Sequence, residues 1–179
     1  MVFMNYDTIG QGPAKPIPTE IATVEGFLKK IADHHAMWYQ NNPDGEFRPL
    51  LMVLCENGDL IPILVAGFGE DEEKTVFCEQ MRETFKKWRV KSYVFAMEAW
   101  MSSMSVSDLN EDGTIDSSKS PSKQPDRKEV VFTIAVDKDG NKAQNCLEII
   151  RDYQGKPHLI PLDALSGVDF AGRFAELLR

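Results

Sequence analysis

The chain has 179 residues, of which 42% are hydrophobic and 27% are charged, and its formal net charge at pH 7 is −8. This length corresponds to about one ordinary domain, and the composition is typical of a soluble globular protein rather than a disordered or membrane-embedded one. The excess of acidic residues disfavours nucleic-acid binding, because that function needs a basic surface to displace the counterions of DNA or RNA.

The sequence shows no membrane or secretion signal. Its longest apolar runs, at 50–54 and 60–66, are too short to span a bilayer, and the N-terminal MVFMNYDTIG lacks the basic and apolar regions of a signal peptide. The three cysteines are odd in number and show no C-x-x-C spacing: they are Cys55, Cys78 and Cys146. We therefore expect a cytoplasmic protein with free thiols and no membrane partner.

The N-terminal part of the chain predicts an irregular arm followed by a helix. Residues 1–18 are rich in glycine and proline and predict the arm. Thr19 is a candidate N-cap for a helix that ends near Gln40, before the breaker cluster NNPDG. The apolar positions of this helix recur at steps of three and four. They are Ile21, Val24, Leu28, Ile31, His35 and Trp38.

The next segment predicts a β-hairpin and a second helix. Two apolar runs, LLMVLC and LIPILVA, are joined by ENGD, and Asn-Gly favours a type I′ turn in which both central residues have positive φ. Both runs are nearly continuous, so we expect both faces of the hairpin to be covered. Pro62 places the second run at an edge or a bulge. Residues 69–89 begin with acidic residues and end with basic ones, which predicts a helix whose charges match its dipole.

The rest of the chain predicts three or four strands, at 90–101, 129–137, 142–153 and 158–162, and a last helix at Val168–Leu178. The element order is therefore α-ββ-α-βββ(β)-α, and the short hairpins require mostly antiparallel pairing. We predict an α+β fold with one central sheet and packed helices, as a single domain over residues 19–179. The order of elements is similar to that of roadblock and profilin-type modules.

A long polar segment, residues 102–128, separates two of the predicted central strands and predicts a loop or flap. Within it, the stretch DLNEDGTIDSSK places oxygen-bearing residues at positions 1, 3, 5, 7 and 9 of an EF-hand loop. They are Asp108, Asn110, Asp112, Thr114 and Asp116. Position 12 is Lys119 instead of a bidentate glutamate, and no flanking helices are predicted. A degenerate Ca²⁺ site and an ordinary acidic loop are the two interpretations.

Asp33, His34 and His35 lie in the middle of the first predicted helix. His35 falls on the apolar stripe, where we expect a buried, hydrogen-bonded imidazole. His34 points roughly 100° away, toward solvent. Adjacent helical residues are poorly placed to bind one metal ion, so we do not predict a metal site here.

Glu98 is the main candidate functional residue, because it is a carboxylate within an otherwise apolar predicted strand. Such a group must be paired, hydrogen-bonded or protonated, and Arg127 and Arg151 are possible partners. One interpretation is a structural salt bridge. The alternative is a small hydrolase or ligand-binding enzyme in which Glu98 acts with Arg127 and Glu129 beneath the 102–128 segment.

The sequence E-A-W at 98–100, followed by P-S-x-x-P-D-R-x-E at 121–129, resembles a pattern found in a group of small uncharacterised bacterial and phage-associated proteins. The resemblance covers about residues 91–152. It implies a bacterial or phage source and no particular activity.

No catalytic constellation accompanies these features. The sequence therefore predicts a non-enzymatic cytoplasmic binding module, without a cofactor, that binds a protein partner or associates with itself. The enzyme built on Glu98 and the calcium-responsive loop remain the alternatives.

Overall fold

The computed structural model describes residues 9–42, 47–68, 71–102, 123–162 and 173–178. These residues contain two α-helices and six β-strands. In chain order they are α1 (Val24–Asn41), β1 (Leu50–Cys55), β2 (Leu60–Leu64), α2 (Asp71–Trp88), β3 (Val90–Met101), β4 (Lys128–Asp137), β5 (Lys142–Arg151) and β6 (Pro157–Pro161).

The six strands form one antiparallel sheet in the order β2-β1-β3-β4-β5-β6. Strands that follow one another in the sequence are neighbours, except that α2 carries the chain from β2 past β1 to β3. Because β2 and β3 both pair antiparallel to β1, they run in the same direction. The connection between them therefore has to return from one end of the sheet to the other. The predicted α+β fold and its element order are confirmed.

The two helices pack on opposite faces of the sheet. Tyr93 and Phe95 of β3 lie in one core cluster with Phe85 of α2. Val94 and Ala96 lie in a second cluster with the apolar stripe of α1. Because successive side chains of a strand point to opposite faces, β3 is buried on both sides. This double burial explains the nearly continuous apolar sequences of β1 and β3.

Helix α1 begins later than the sequence predicted. Thr19–Ile21 form a separate 3-10 turn, and Pro18 before it makes no side-chain cap. The true N-cap is Thr23, which has an extended backbone and whose hydroxyl accepts a hydrogen bond from the Gly26 amide at 3.2 Å. The prediction of Thr19 as the N-cap is wrong, because the favourable hydroxyl at the helix entrance belongs to Thr23.

The predicted hairpin of β1 and β2 is present, but its turn is not type I′. A type I′ turn would need positive φ at both Asn57 and Gly58. Gly58 has a φ of +83°, but the φ of Asn57 is not positive, because Arg89 is the one described non-glycine residue with positive φ. The Gly58 amide donates to the Cys55 carbonyl at 3.0 Å, and the Cys55 amide donates to the Asp59 carbonyl at 2.9 Å. This is a three-residue hairpin loop with a left-handed glycine. Asn57 instead uses its side chain to bind the Asp59 amide and carboxylate.

The described part of the N-terminal arm packs against this hairpin turn. The Asp59 carboxylate accepts hydrogen bonds from the Gly10 amide at 3.2 Å and from Lys15 Nζ at 2.6 Å. The Lys15 amide donates to the Asn57 carbonyl at 2.7 Å. Ile9 is buried in the core cluster on the α2 side. The arm is thus irregular in backbone and held at several points.

The predicted C-terminal helix, Val168–Leu178, lies only partly within the described residues. In that part the chain forms a short 3-10 turn, Arg173–Ala175. The Tyr93 hydroxyl donates to the Phe174 carbonyl at 2.6 Å, which ties this turn to the sheet. Residues 163–172 lie outside the described part of the chain. No helix among the described residues is both long enough and apolar enough to cross a membrane.

Candidate functional site

The β2 end of one sheet face has no helix over it among the described residues. Helix α1 packs mainly against β4, β5 and β6 and also buries Leu54 of β1. The same face of β2 therefore lies open beside the helix, and Leu50 and Met52 of β1 are only partly covered. The paired residues Leu50 and Leu64, and Met52 and Pro62, point to this face together, because directly opposed residues of two strands share a face. Leu60 completes the set. These five apolar side chains form the floor of a groove.

The wall of the groove is the side of α1 that faces the hairpin. Phe27 and Ile31 are one helical turn apart and contribute apolar surface, and Lys30 and His34 lie beside them. One end is closed by residues just before the helix: Pro18, Glu20 and Ile21. The cavity has a volume of about 610 Å³. We refer to it as the α1–β2 groove.

Two apolar side chains on the floor of this groove are unusually exposed to solvent. Leu64 is 70% exposed and Leu60 is 42% exposed. Single exposed apolar side chains are common, but adjacent ones that line a concave surface are typical of binding sites. Burial of such side chains by a ligand would remove apolar area from water, which is the main favourable term in association.

A smaller pocket of about 300 Å³ adjoins the groove near the C-terminal half of α1. We call it the end pocket. It is lined by His34, His35, Trp38, Phe47, Arg48, Leu50 and Leu64. Three of these residues also line the groove: His34, Leu50 and Leu64. The two cavities therefore border the same side chains and form one surface.

His35 is the most unusual residue of the end pocket. Its side chain is fully buried, and its ring lies edge-on to Phe47 at 4.6 Å between centroids. Neither ring nitrogen has a hydrogen-bond partner in the described part of the chain. Burial, assisted by the neighbouring His34, lowers the pKa of His35 to about 4. The predicted burial is confirmed and the predicted hydrogen bond is wrong, because the ring packs edge-on against Phe47 and meets no polar partner among the described residues.

Glu98 lies on the α1 face of β3 and is partly buried. The Tyr39 hydroxyl donates a hydrogen bond to Glu98 Oε1. Burial raises the pKa of the Glu98 carboxyl, and the charge of Glu129 adds to the rise. The Tyr39 hydrogen bond, the Arg151 charge and the Phe47 backbone amide lower this pKa and offset part of the rise. The direct partner of Glu98 is therefore a phenol rather than the arginine we expected.

The two arginines considered as partners of Glu98 make other contacts. Arg151 forms an ion pair with Glu129 at 3.3 Å. The Arg127 guanidinium lies over the Trp100 ring, 4.9 Å from its centroid, in a cation–π contact. Glu129 is directly opposite Trp100 in the sheet. The structure thus brings Glu98, Glu129 and Arg151 close enough for their charges to interact. Arg127 lies just before the start of β4 and contacts Trp100.

Other candidate residues lie outside the described part of the chain or show no site chemistry. Residues 103–122 are not described, and they include the predicted calcium positions Asp108, Asn110, Asp112, Thr114 and Asp116. Among the described residues, no group of three or more His, Cys, Asp or Glu side chains could hold a metal ion. All three cysteines are free and buried, and burial raises the pKa of Cys55 to about 11. A thiol with such a pKa is a poor nucleophile.

Sequence reasoning missed Tyr39 and the groove. The predicted stripe contained Leu28 and Trp38, but Phe27 and Tyr39 are buried in their place, together with the correctly predicted Val24, Ile31 and His35. A strict count of four from His35 would have indicated Tyr39. The groove had a weaker signal, namely the apolar side chains at alternate positions of both hairpin strands.

Comparisons with known proteins add no assignment. No protein-family model, no curated protein and no solved structure matches this chain.

Proposed function

We propose that this protein is a non-enzymatic binding module and that the α1–β2 groove holds a small, mainly apolar ligand. The observation that carries the proposal is the apolar face of β2, with Leu50 and Met52 of β1, that the described residues leave at least partly exposed beside α1. Its volume of about 610 Å³ lies within the range of roughly 300–1,000 Å³ that is typical of small-molecule sites. Apolar floor residues with a few polar groups at the rim are also typical of such sites.

The backbone of β2 is poorly suited to the alternative, which is strand addition by a protein partner or a second copy. The Val65 amide donates to the Pro49 carbonyl. The backbone N–H and C=O groups of odd-numbered β2 residues therefore bond to β1, and those of even-numbered residues point to the open edge of the sheet. The middle outward residue is Pro62, which has no N–H to donate. A proline in this place weakens pairing at the open edge of the sheet.

The surroundings of Glu98 support a structural role rather than catalysis. Its carboxylate is held by Tyr39 and by the Phe47 backbone, and the nearby charges of Glu129 and Arg151 are paired with each other. Such contacts satisfy a buried charge. Buried free thiols fit a reducing compartment, and we propose the cytoplasm as the location of the protein.

The test is fluorescence titration with N-phenyl-1-naphthylamine, a neutral dye that becomes bright in apolar sites. We expect saturable binding at one site. The Leu64→Glu variant should weaken it at least about tenfold, because loss of one leucine contact of about 1.5–3 kcal/mol changes an equilibrium by that factor or more. Leu64 is largely exposed, so the variant should fold.

The matched control is Met37→Glu, which places the same charge at an apolar residue of α1 that is 61% exposed. Dye affinity should be unchanged in this control. Equal affinity in the Leu64→Glu and Met37→Glu variants would overturn the proposal. A concentration-dependent dimer that Leu64→Glu abolishes, with no dye binding to the monomer, would assign the surface to self-association instead.

A further inference from the structure

We infer that the natural ligand of the α1–β2 groove is an apolar monocarboxylic acid whose carboxylate lies in the end pocket, paired with Arg48 and hydrogen-bonded by His35. This inference rests on the proposed function and names the chemical class of the ligand. Its support comes from the distribution of charge along the groove, from the orphaned imidazole and from the apolar walls of the pocket.

The charge along the groove is opposite to that of the whole chain. The chain carries a formal charge of −8, yet the basic side chains Lys30 and Arg48 line the groove and its end pocket, together with His34. Lys30 Nζ forms an ion pair with Glu20 Oε1 at 4.0 Å, at the far end of the groove. Arg48 is exposed and has no ion pair in the part of the chain that the structure describes. Among the described lining residues, the positive charge that has no ion pair is therefore located at the end pocket.

The two ring nitrogens of His35 make no hydrogen bond with the described residues. A neutral imidazole carries one N–H donor and one acceptor, and neither nitrogen has a partner among the described residues. Buried polar groups are almost always hydrogen-bonded, so an exception calls for an explanation. His35 is a lining residue of the end pocket. Both ring nitrogens are shielded from solvent, so the imidazole or the Phe47 ring has to turn before a carboxylate can accept the His35 N–H.

The remaining walls limit which anion fits. Trp38, Phe47, Leu50 and Leu64 are apolar or aromatic, so the pocket offers one guanidinium and imidazole donors among apolar surfaces. A guanidinium matches the two oxygens of a planar carboxylate. A phosphate dianion needs more donors and more positive charge than this pocket contains. The apolar body of the acid would then extend along the groove over Leu64.

The experiment compares displacement of N-phenyl-1-naphthylamine by laurate and by 1-dodecanol, which share a twelve-carbon chain and differ in the head group. With the wild-type protein, laurate should displace the dye at a concentration at least about tenfold lower than 1-dodecanol does. The Arg48→Met variant should remove this preference, because its side chain can no longer pair with the carboxylate. The preference is the ratio of the two displacing concentrations within one variant, so any change in dye affinity cancels. The control Lys29→Met removes a positive charge from the exposed surface of α1 and should retain the preference.

A second measurement uses the wild-type protein and does not depend on a variant. Nitrogen-15 NMR of the histidine rings should show that laurate shifts the two His35 ring nitrogens, while 1-dodecanol leaves them in place. Equal potency of laurate and 1-dodecanol, or an unchanged preference in Arg48→Met, would overturn the carboxylate assignment. Absence of dye binding would overturn the groove proposal itself; laurate that still shifts His35 would then support an acid site confined to the end pocket, and unshifted His35 resonances would reject it.

Discussion

Two ionisable side chains of this fold, His35 and Glu98, are removed from water in different ways. Glu98 accepts a hydrogen bond from Tyr39 and remains within range of Arg151. His35 is more deeply buried and has aromatic neighbours in place of polar partners. A buried charge without partners is costly. Glu98 has a hydrogen-bond donor and a nearby cation, whereas His35 has neither, and burial favours its neutral form by lowering its pKa.

The pH dependence of stability should show the cost of burying His35. Its pKa is lowered from 6.5 to about 4, so between these values the unfolded chain binds a proton at this residue and the folded chain does not. The stabilising contribution, on the order of 3 kcal/mol, is complete above pH 6.5 and is lost as pH falls toward 4. Urea unfolding from pH 4 to pH 7.5 measures the effect. A His35→Leu variant should lose less stability over the same window, and parallel curves for the two proteins would contradict the assignment.

The Tyr39→Phe substitution should destabilise the protein by about 1–3 kcal/mol at pH 7, since it leaves the buried carboxylate of Glu98 without its donor. The raised pKa of Glu98 means that the folded state binds a proton more tightly than the unfolded chain. Protonation therefore relieves the cost of burial, and the effect of Tyr39→Phe should shrink as pH falls through the folded-state pKa of Glu98. Unfolding free energies at pH 7 and pH 4 measure this change.

The control for this prediction is the Glu98→Gln background, where no charge is left to stabilise. In that background Tyr39→Phe should have a smaller effect at pH 7 and little dependence on pH. A full effect of Tyr39→Phe in the presence of Glu98→Gln would show that the tyrosine acts through packing alone.

Among the elements, the hairpin turn organises the first part of the chain. Gly58 approaches the arm so closely that a Cβ there would lie 2.5 Å from the Lys15 carbonyl oxygen. Asp59 receives hydrogen bonds from Gly10, Lys15 and Asn57. One carboxylate therefore fixes both the turn and the arm, although residues 9–18 of the arm have no regular secondary structure.

The Asp59→Ala substitution should release the arm from the hairpin. We expect a loss of about 1–3 kcal/mol in unfolding free energy, because several donors lose their acceptor, and faster amide exchange of residues 10–15. The Lys15 and Asn57 hydrogen bonds lower the pKa of Asp59, so its contribution is present above its ordinary pKa of 3.8 and disappears as pH falls below that value.

The matched control for Asp59→Ala is Asp137→Ala in the turn between β4 and β5. Asp137 accepts from the amides of Asp139 and Asn141 at 3.0 and 2.9 Å. This substitution should loosen its own turn and leave exchange in the arm unchanged. Unchanged exchange of the arm in Asp59→Ala would contradict the anchoring role.

At the scale of the whole molecule, the α1–β2 groove results from unequal helix coverage of the two faces of the sheet. Helix α2 lies on the face formed by Leu51 and Tyr93. Helix α1 covers the opposite face from Leu54 of β1 to β6 and leaves β2 uncovered. An apolar face that the described residues leave exposed is available to another molecule. The groove therefore follows from the position of α1 relative to the sheet order.

Local physical chemistry determined much of this architecture from the sequence alone. Alternation and continuous apolar runs indicated the strands, Asn-Gly indicated the hairpin, and the charges at the ends of 69–89 indicated α2. Pro62 indicated an edge strand, and β2 is at the edge. These features are readable because they depend on neighbours a few residues away, as strand period, helix period and turn chemistry do.

Only the tertiary structure decided which side chains meet. Tyr39 and Glu98 are 59 residues apart and meet because α1 crosses the face of β3. His35 lacks a partner because Phe47, on the segment after the helix, lies against it. The groove exists because α1 lies over the β4–β6 half of the sheet. Helix placement and strand order depend on packing between distant segments, which no local pattern in the sequence encodes.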